Sequence, residues 1–153
     1  MSRFTDEFNP EPTDIAVCGS MAHKAQWLPI IDELRRAGYR VSTPDLSESV
    51  DWSNISDEQV IVEKGRLVRR HFANIERALV VLVANFEKNG VEGYIGTNTL
   101  LEMGAGFVFE KPIYLYNPVP QQHGREEILA LEPMVLHADL SRMDIWGEER
   151  LNV

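Results

Sequence analysis

The chain has 153 residues, 44% of them hydrophobic, and a formal net charge of −9. That length suits one domain with a sizeable core, and the acidic balance argues against non-specific binding to DNA, RNA or anionic membranes, where basic surface supplies most of the affinity. The single Cys18 excludes an intramolecular disulfide and a cysteine-rich zinc site, so the expectation is a cytoplasmic protein. The N-terminal stretch is polar and proline-bearing, unlike a signal peptide, and no run approaches the roughly 20 apolar residues of a membrane span.

Residues 1–13 read as a flexible lead-in and 14–153 as a single domain. The run DIAVC, 14–18, reads as a buried strand ending at Gly19-Ser20. The next segment has helical spacing in Trp27, Ile30, Ile31 and Leu34, with Gly38 where a C-terminal cap belongs. YRVSTPDL, 39–46, reads as a second strand stopped near Pro44. Asp57 to Ala78 is a long amphipathic helix carrying Val60, Leu67, Val68, Phe72 and Ile75. ALVVLVANF, apolar on both faces, reads as a central parallel strand covered by helices on each side. A long loop, 85–98, precedes a helix over 99–110, a strand over 112–117, a short helix over 124–131 and a strand over 134–138.

This alternation predicts an α/β fold: an open, doubly wound, five-stranded parallel sheet of the flavodoxin-like order 2-1-3-4-5, with helices on both faces. In such sheets ligands bind beyond the carboxyl ends of the strands, at the point where the order reverses. Here that point lies between strands 1 and 3, so the loops CGSMAHK and NFEKNGVEGYIGTNT are expected to line the site.

One acid stands out. Glu102 sits among Leu101, Met103, Gly104 and Ala105 at the start of an almost wholly apolar helix. Thr99-Leu-Leu-Glu102 matches a capping box, in which Glu102 folds back onto its own backbone. The other reading is chemical. Ala105 and Gly106 give the Glu102 face little bulk, and two helix glycines, each costing roughly 1 kcal/mol against alanine, imply close approach. A helix N-terminus favours an ionised carboxylate, and an accessible one at a cleft mouth can act as a nucleophile.

The run GTNTLLEMGAGFVFEKPIYLY, with IAVCGS, the Gly-Tyr-x-Val-x-x-Pro strand and IERALVVLVANF, resembles the nucleoside 2-deoxyribosyltransferases and related nucleotide N-glycosidases, which include deoxynucleoside-monophosphate hydrolases. The resemblance covers roughly residues 14–140. It implies that Glu102 is the nucleophile, that Gly19 and Ser20 lie beside the sugar or its phosphate, and that Gly96 and Thr97 contact the sugar or phosphate. Met21 and Thr99 are further candidate substrate-binding residues, and Asn98 either contacts a sugar hydroxyl or satisfies a turn. It places Asn117 near a region that often contributes to a neighbouring subunit's site, and implies a homo-oligomer with shared active sites. No cofactor or metal is implied, and the four histidines show no paired ligand spacing. The partner is a small-molecule nucleoside or nucleotide.

The chain departs from the family pattern at three places. Where many members carry an Asp before the third strand, this chain has His71. Leu79 replaces an Asp after Ala78. Gly96 and Thr97 stand where deoxyribosyltransferases place an acid. Because histidine titrates near neutrality, His71 is the candidate donor to the leaving base; the other reading is an ordinary helix-surface or satisfied core histidine. The expected reaction is cleavage of an N-glycosidic bond through a covalent glycosyl–Glu102 intermediate, passed to water or to a second base, with hydrolysis preferred. The alternative is a nucleotide-binding sensor of the same fold that does not turn its ligand over. Trp27, Trp52 and Tyr94 are candidate base-stacking groups, with the core favoured for Trp27. Asn85 and Asn89 either contact sugar hydroxyls or satisfy turns. Trp146 and Leu151 either anchor a subunit interface or pack locally.

Overall fold

The computed structural model describes residues 7–8, 10–44 and 50–146. The rest of the lead-in (1–6 and 9), Asp45 and Leu46 of the expected second strand, and Leu151 lie outside the described residues. The elements run β1 (Ile15–Cys18), α1 (Lys24–Arg36), β2 (Val41–Ser42), α2 (Asp57–Arg77), β3 (Val80–Val83), α3 (Thr97–Val108), β4 (Ile113–Leu115), α4 (Arg125–Ala130) and β5 (Met134–Val135). Among the described residues, five parallel strands form one sheet in the order β2-β1-β3-β4-β5, the order expected. β1 and β3 pair over their full length, from Ile15 opposite Val80 to Cys18 opposite Val83.

Strand alternation divides the core in two. Ile15, Val17, Val80, Leu82 and Tyr114 face one side, with Trp27, Ile30, Ile31 and Leu34 of α1. Ala16, Cys18, Val81, Val83, Ile113 and Leu115 face the other, with Ile75 of α2 and Met103 of α3. Each such fully buried Ile or Leu stabilises the fold by roughly 1.5–3 kcal/mol. Trp27 is completely buried and its indole N–H donates to the Ser20 carbonyl at 3.0 Å, which settles it as a core residue.

The ends of the elements differ from the sequence expectation for local reasons. A capping box does exist, but at Ser56 and Gln59, where it starts α2. β2 holds only Val41–Ser42, and β5 only Met134–Val135. Both are edge strands with a single partner. Beyond β5, His137 and Ala138 adopt φ of 51° and 60°, which turns the chain out of the sheet. The helix expected over 99–110 starts at Thr97 after Gly96 and stops before Glu110, whose φ is 57°. The described part of the C-terminal segment, through 146, is partly packed on the domain. Met143 and Ile145 are buried against the α1 side, and the Tyr114 hydroxyl bonds both the carbonyl and the N–H of Asp144. Trp146 remains 59% exposed. Among the described residues no helix is long and apolar enough to cross a membrane.

Candidate active site

Three elements meet beyond the carboxyl ends of β1 and β3. β1 ends in Cys18 and passes through Gly19 into a 3-10 turn over Met21–His23, which Ser20 caps by accepting the Ala22 N–H at 3.3 Å. A Cβ on Gly19 would stand 3.2 Å from the Ala84 carbonyl, so a small residue lets the turn pass close to β3. α2 brings His71, and α3 brings Glu102.

The space they enclose is a cavity of about 500 Å³. Gly19, Ser20 and Met21 line one wall, and Gly96, Thr97, Asn98, Thr99 and Glu102 line another. His71 belongs to a third wall with Leu67 and Val68, and Trp52 stands at the rim, 43% exposed. Asn117, expected near a region that contributes to a neighbouring subunit's site, lines a separate hollow with Phe86 and Gly93. Its backbone N–H donates to Asn85 Oδ1 at 2.9 Å and its side-chain amide donates to the Asn85 carbonyl at 2.8 Å. The Asn85 amide nitrogen in turn lies 3.1 Å from the Gly93 carbonyl and 3.0 Å from that of Asn117. Asn85 and Asn117 thus tie the ends of β3 and β4 together. Tyr94 also lies outside the cavity wall, with Lys88 5.4 Å from its ring centroid. Asn89 serves a turn at φ 52°.

Glu102 is not a cap. The N-cap of α3 is Gly96, Thr99 lies inside the helix, and no side chain caps this end. Glu102 is 9% exposed, and its Oε2 has no hydrogen-bond partner among the described residues. Burial raises its pKa from 4.5 to about 8, against a smaller lowering by the Cys18 thiol. The ionised form that a helix N-terminus favours is here opposed by desolvation, which raises the pKa. Burial likewise pushes the Cys18 thiol up, and Glu102 adds to the effect. His71, completely desolvated, is lowered from 6.5 to about 4, with a backbone hydrogen bond at Val17 opposing. Its Nε2 lies 3.5 Å from Cys18 Sγ, and the Asn74 amide nitrogen lies 3.4 Å from its Nδ1. An amide donating to Nδ1 leaves the proton on Nε2, so His71 is a neutral donor. One ligand-type atom from each of Cys18, His71 and Glu102 falls within 4.8 Å of the others.

The approach to α3 is fixed by a side chain. Gln122 accepts the Ile95 N–H at 2.9 Å and donates to the Ile95 carbonyl at 2.9 Å, as a neighbouring strand would. Gly93, at φ 66°, is required here: a Cβ would lie 2.5 Å from the Pro118 carbonyl.

Sequence reasoning missed four contributors. Lys64 and Lys88 line the cavity, Cys18 joins Glu102 and His71, and Gln122 sets the start of α3. Cys18 was legible in principle, as the last residue of a central strand at the reversal point. Lys88 and Gln122 sit in loops whose path no periodicity encodes. No protein-family model, no curated protein and no solved structure matches this chain.

Proposed function

We propose that this chain cleaves the N-glycosidic bond of a nucleoside or nucleoside 5′-monophosphate, with Glu102 as the nucleophile at C1′. The reading rests on one observation: a buried carboxyl with an unpartnered oxygen in the wall of a cavity at the sheet's reversal point. Breaking the bond develops positive charge on the sugar. A carboxylate in a low-dielectric pocket is costly when empty and strongly favoured once that charge appears. Glu102 attacks in its ionised form, its proton having first passed to solvent. Collapse of the Glu102 oxygen onto C1′ gives a glycosyl ester, and the base leaves with its bonding pair. In this reading neutral His71 offers the departing base a hydrogen bond from Nε2–H, and the base takes its proton from water. Water then opens the ester in a hydrolase, and a second base does so in a transferase; hydrolysis is preferred.

Lys64 and Lys88 favour a 5′-phosphate, and the exposed ring of Trp52 suits stacking on the base. A cytoplasmic homo-oligomer is part of the proposal. α3 presents Leu101 and Val108, 51% and 74% exposed, on one face. Between them lies Gly104, where an added Cβ would meet nothing within 4 Å. A second copy can approach such a face closely.

The test is incubation of the protein with a panel of nucleosides and 5′-monophosphates, reading released base by chromatography. Release that disappears in Glu102→Gln supports the reading; no release from any member of the panel overturns it. A labelled second base separates transfer from hydrolysis. One observation favours the sensor reading: Glu102 is the only acid lining the cavity among the described residues. Binding of a nucleotide with no base release would support that alternative.

A further inference from the structure

The fold gathers Cys18 from β1, His71 from α2 and Glu102 from α3, three buried side chains of different chemistry. The proposed reaction uses Glu102 as nucleophile and His71 as donor. It leaves the thiol without a task, although that thiol lies against both.

We infer that Cys18 Sγ, His71 Nε2 and a Glu102 oxygen form a three-ligand site for a borderline-soft divalent cation, with zinc the best fit and the fourth position open to the cavity. Zinc–sulfur and zinc–nitrogen bonds of about 2.3 Å and 2.0 Å at a tetrahedral angle separate the two ligand atoms by about 3.5 Å. The Sγ to Nε2 distance is 3.5 Å. The ligand-type atoms of all three residues lie within 4.8 Å of one another, so small rotamer adjustments bring the set onto one ion.

A second observation points the same way. Glu102 Oε2 is buried and without a partner among the described residues, although it lines a cavity with room for a ligand. A cation supplies that missing partner. Thiolate and carboxylate together carry two negative charges, which a divalent ion neutralises without leaving net charge in the core. Binding expels the thiol proton and the carboxyl proton. The Asn74 amide, 3.4 Å from Nδ1, can turn its oxygen to accept an Nδ1–H once Nε2 holds metal. Magnesium and calcium, which take six or more oxygen ligands, are poorly served by this set.

This inference goes beyond the proposed reaction and partly opposes it. With Glu102 on a metal, the carboxylate is withdrawn from C1′, so the metal-bound chain does not carry out the glycosyl step. The site is thus either a nucleophile's pocket or a metal centre, and zinc selects between them.

The test uses the full chain, stripped with chelator and titrated with Co²⁺ in the absence of substrate. The expected result is one equivalent bound, with a thiolate-to-cobalt charge-transfer band in the near ultraviolet and tetrahedral visible bands, both displaced by Zn²⁺. Cys18→Ser removes the charge-transfer band, and His71→Gln weakens binding by roughly 100-fold or more. Asn74→Ala, which leaves all three ligands in place, weakens it by roughly 10–100-fold. His123→Gln, an exposed histidine outside the cluster, changes nothing. Circular dichroism establishes that each variant is folded. Co²⁺ binding without a thiolate band, or no stoichiometric binding by the wild type, overturns the inference. Base release is assayed separately in chelator-treated protein, so loss of that activity and loss of the metal site are read independently.

Discussion

Cys18 Sγ and His71 Nε2 stand 3.5 Å apart, joining the last residue of β1 to the middle of α2. Strand alternation turns Cys18 toward the α2 and α3 side of the sheet. Burial at this junction then favours the neutral forms of Cys18, His71 and Glu102 alike.

The first prediction is a pH dependence of stability in metal-free protein. Glu102 titrates at about 8 when folded, against an ordinary 4.5. The folded chain therefore holds a proton that the unfolded chain has lost, and this contribution falls as pH rises from 4.5 to 8. His71 titrates at about 4 against 6.5, so its contribution is lost as pH falls from 6.5 to 4. The two slopes oppose below 6.5, and mainly Glu102 acts above it. Stability should drop by about 1–1.5 kcal/mol between pH 6.5 and 8, less than the full ~1.36 kcal/mol per pH unit because Glu102 is half-ionised at its folded pKa and unfolded His71 still titrates near 6.5. Denaturant melts across this range should show the decline in the wild type and a flat line in Glu102→Gln. Parallel curves would refute it.

The second prediction concerns activity. Glu102→Gln should lower base release by at least about 10³-fold while substrate still binds, because it removes the nucleophile and keeps the shape. With metal removed, kcat/KM of the wild type should rise as pH rises toward about 8, following ionisation of the free carboxyl. A profile insensitive to pH over this range would separate Glu102 from the chemistry.

Much of this architecture was legible because its signals are local. The unbroken apolar run of β3 and the Trp27, Ile30, Ile31, Leu34 spacing of α1 each announce what they pack against. Gly19, Ser20, Thr97 and Glu102 could be assigned to one cleft because a parallel sheet carries its loops to the same end. Asn117 stands at that same end of β4, where its hydrogen bonds go to Asn85. The protonation of Glu102 was not legible, since it depends on desolvation by neighbours distant in the chain. The two glycines of α3 looked alike in sequence and have different surroundings.

That difference yields the third prediction. A Cβ on Gly106 would lie 3.0 Å from Val81 Cγ2, where α3 crosses the sheet. Gly106→Ala should destabilise by about 1–3 kcal/mol through overpacking. Gly104→Ala meets open space within the chain and should stabilise a monomer by up to about 1 kcal/mol. If a second copy covers this face, the same change should instead shift a dimer toward monomer. Thermal melts together with sedimentation at several concentrations distinguish the two.

A fourth prediction concerns the start of the sheet. Asp14 is buried and accepts the backbone N–H of Arg40 at 2.8 Å, and the Arg40 guanidinium grips the same carboxylate at 2.8 and 3.2 Å. The Arg40 side chain beside it, chiefly by hydrogen bonding, holds the Asp14 carboxyl below its usual pKa. Asp14→Ala removes the acceptor of the part-buried Arg40 N–H and of the guanidinium, and should cost about 1–2 kcal/mol. Base release at temperatures well below the melt should be unchanged. A loss of activity larger than the loss of folded protein would show that the edge of the sheet reaches the site.

The pairing of Gln122 with Ile95 has a mechanical consequence. Arg125 braces the same stretch by donating to the carbonyls of Val119 and Pro120, each at 2.9 Å. Two prolines further stiffen it. The lead into α3 is therefore fastened to a neighbouring stretch by these hydrogen bonds. Under the proposed function, a substrate that docks here need not freeze this side of the chamber, which spares that entropy.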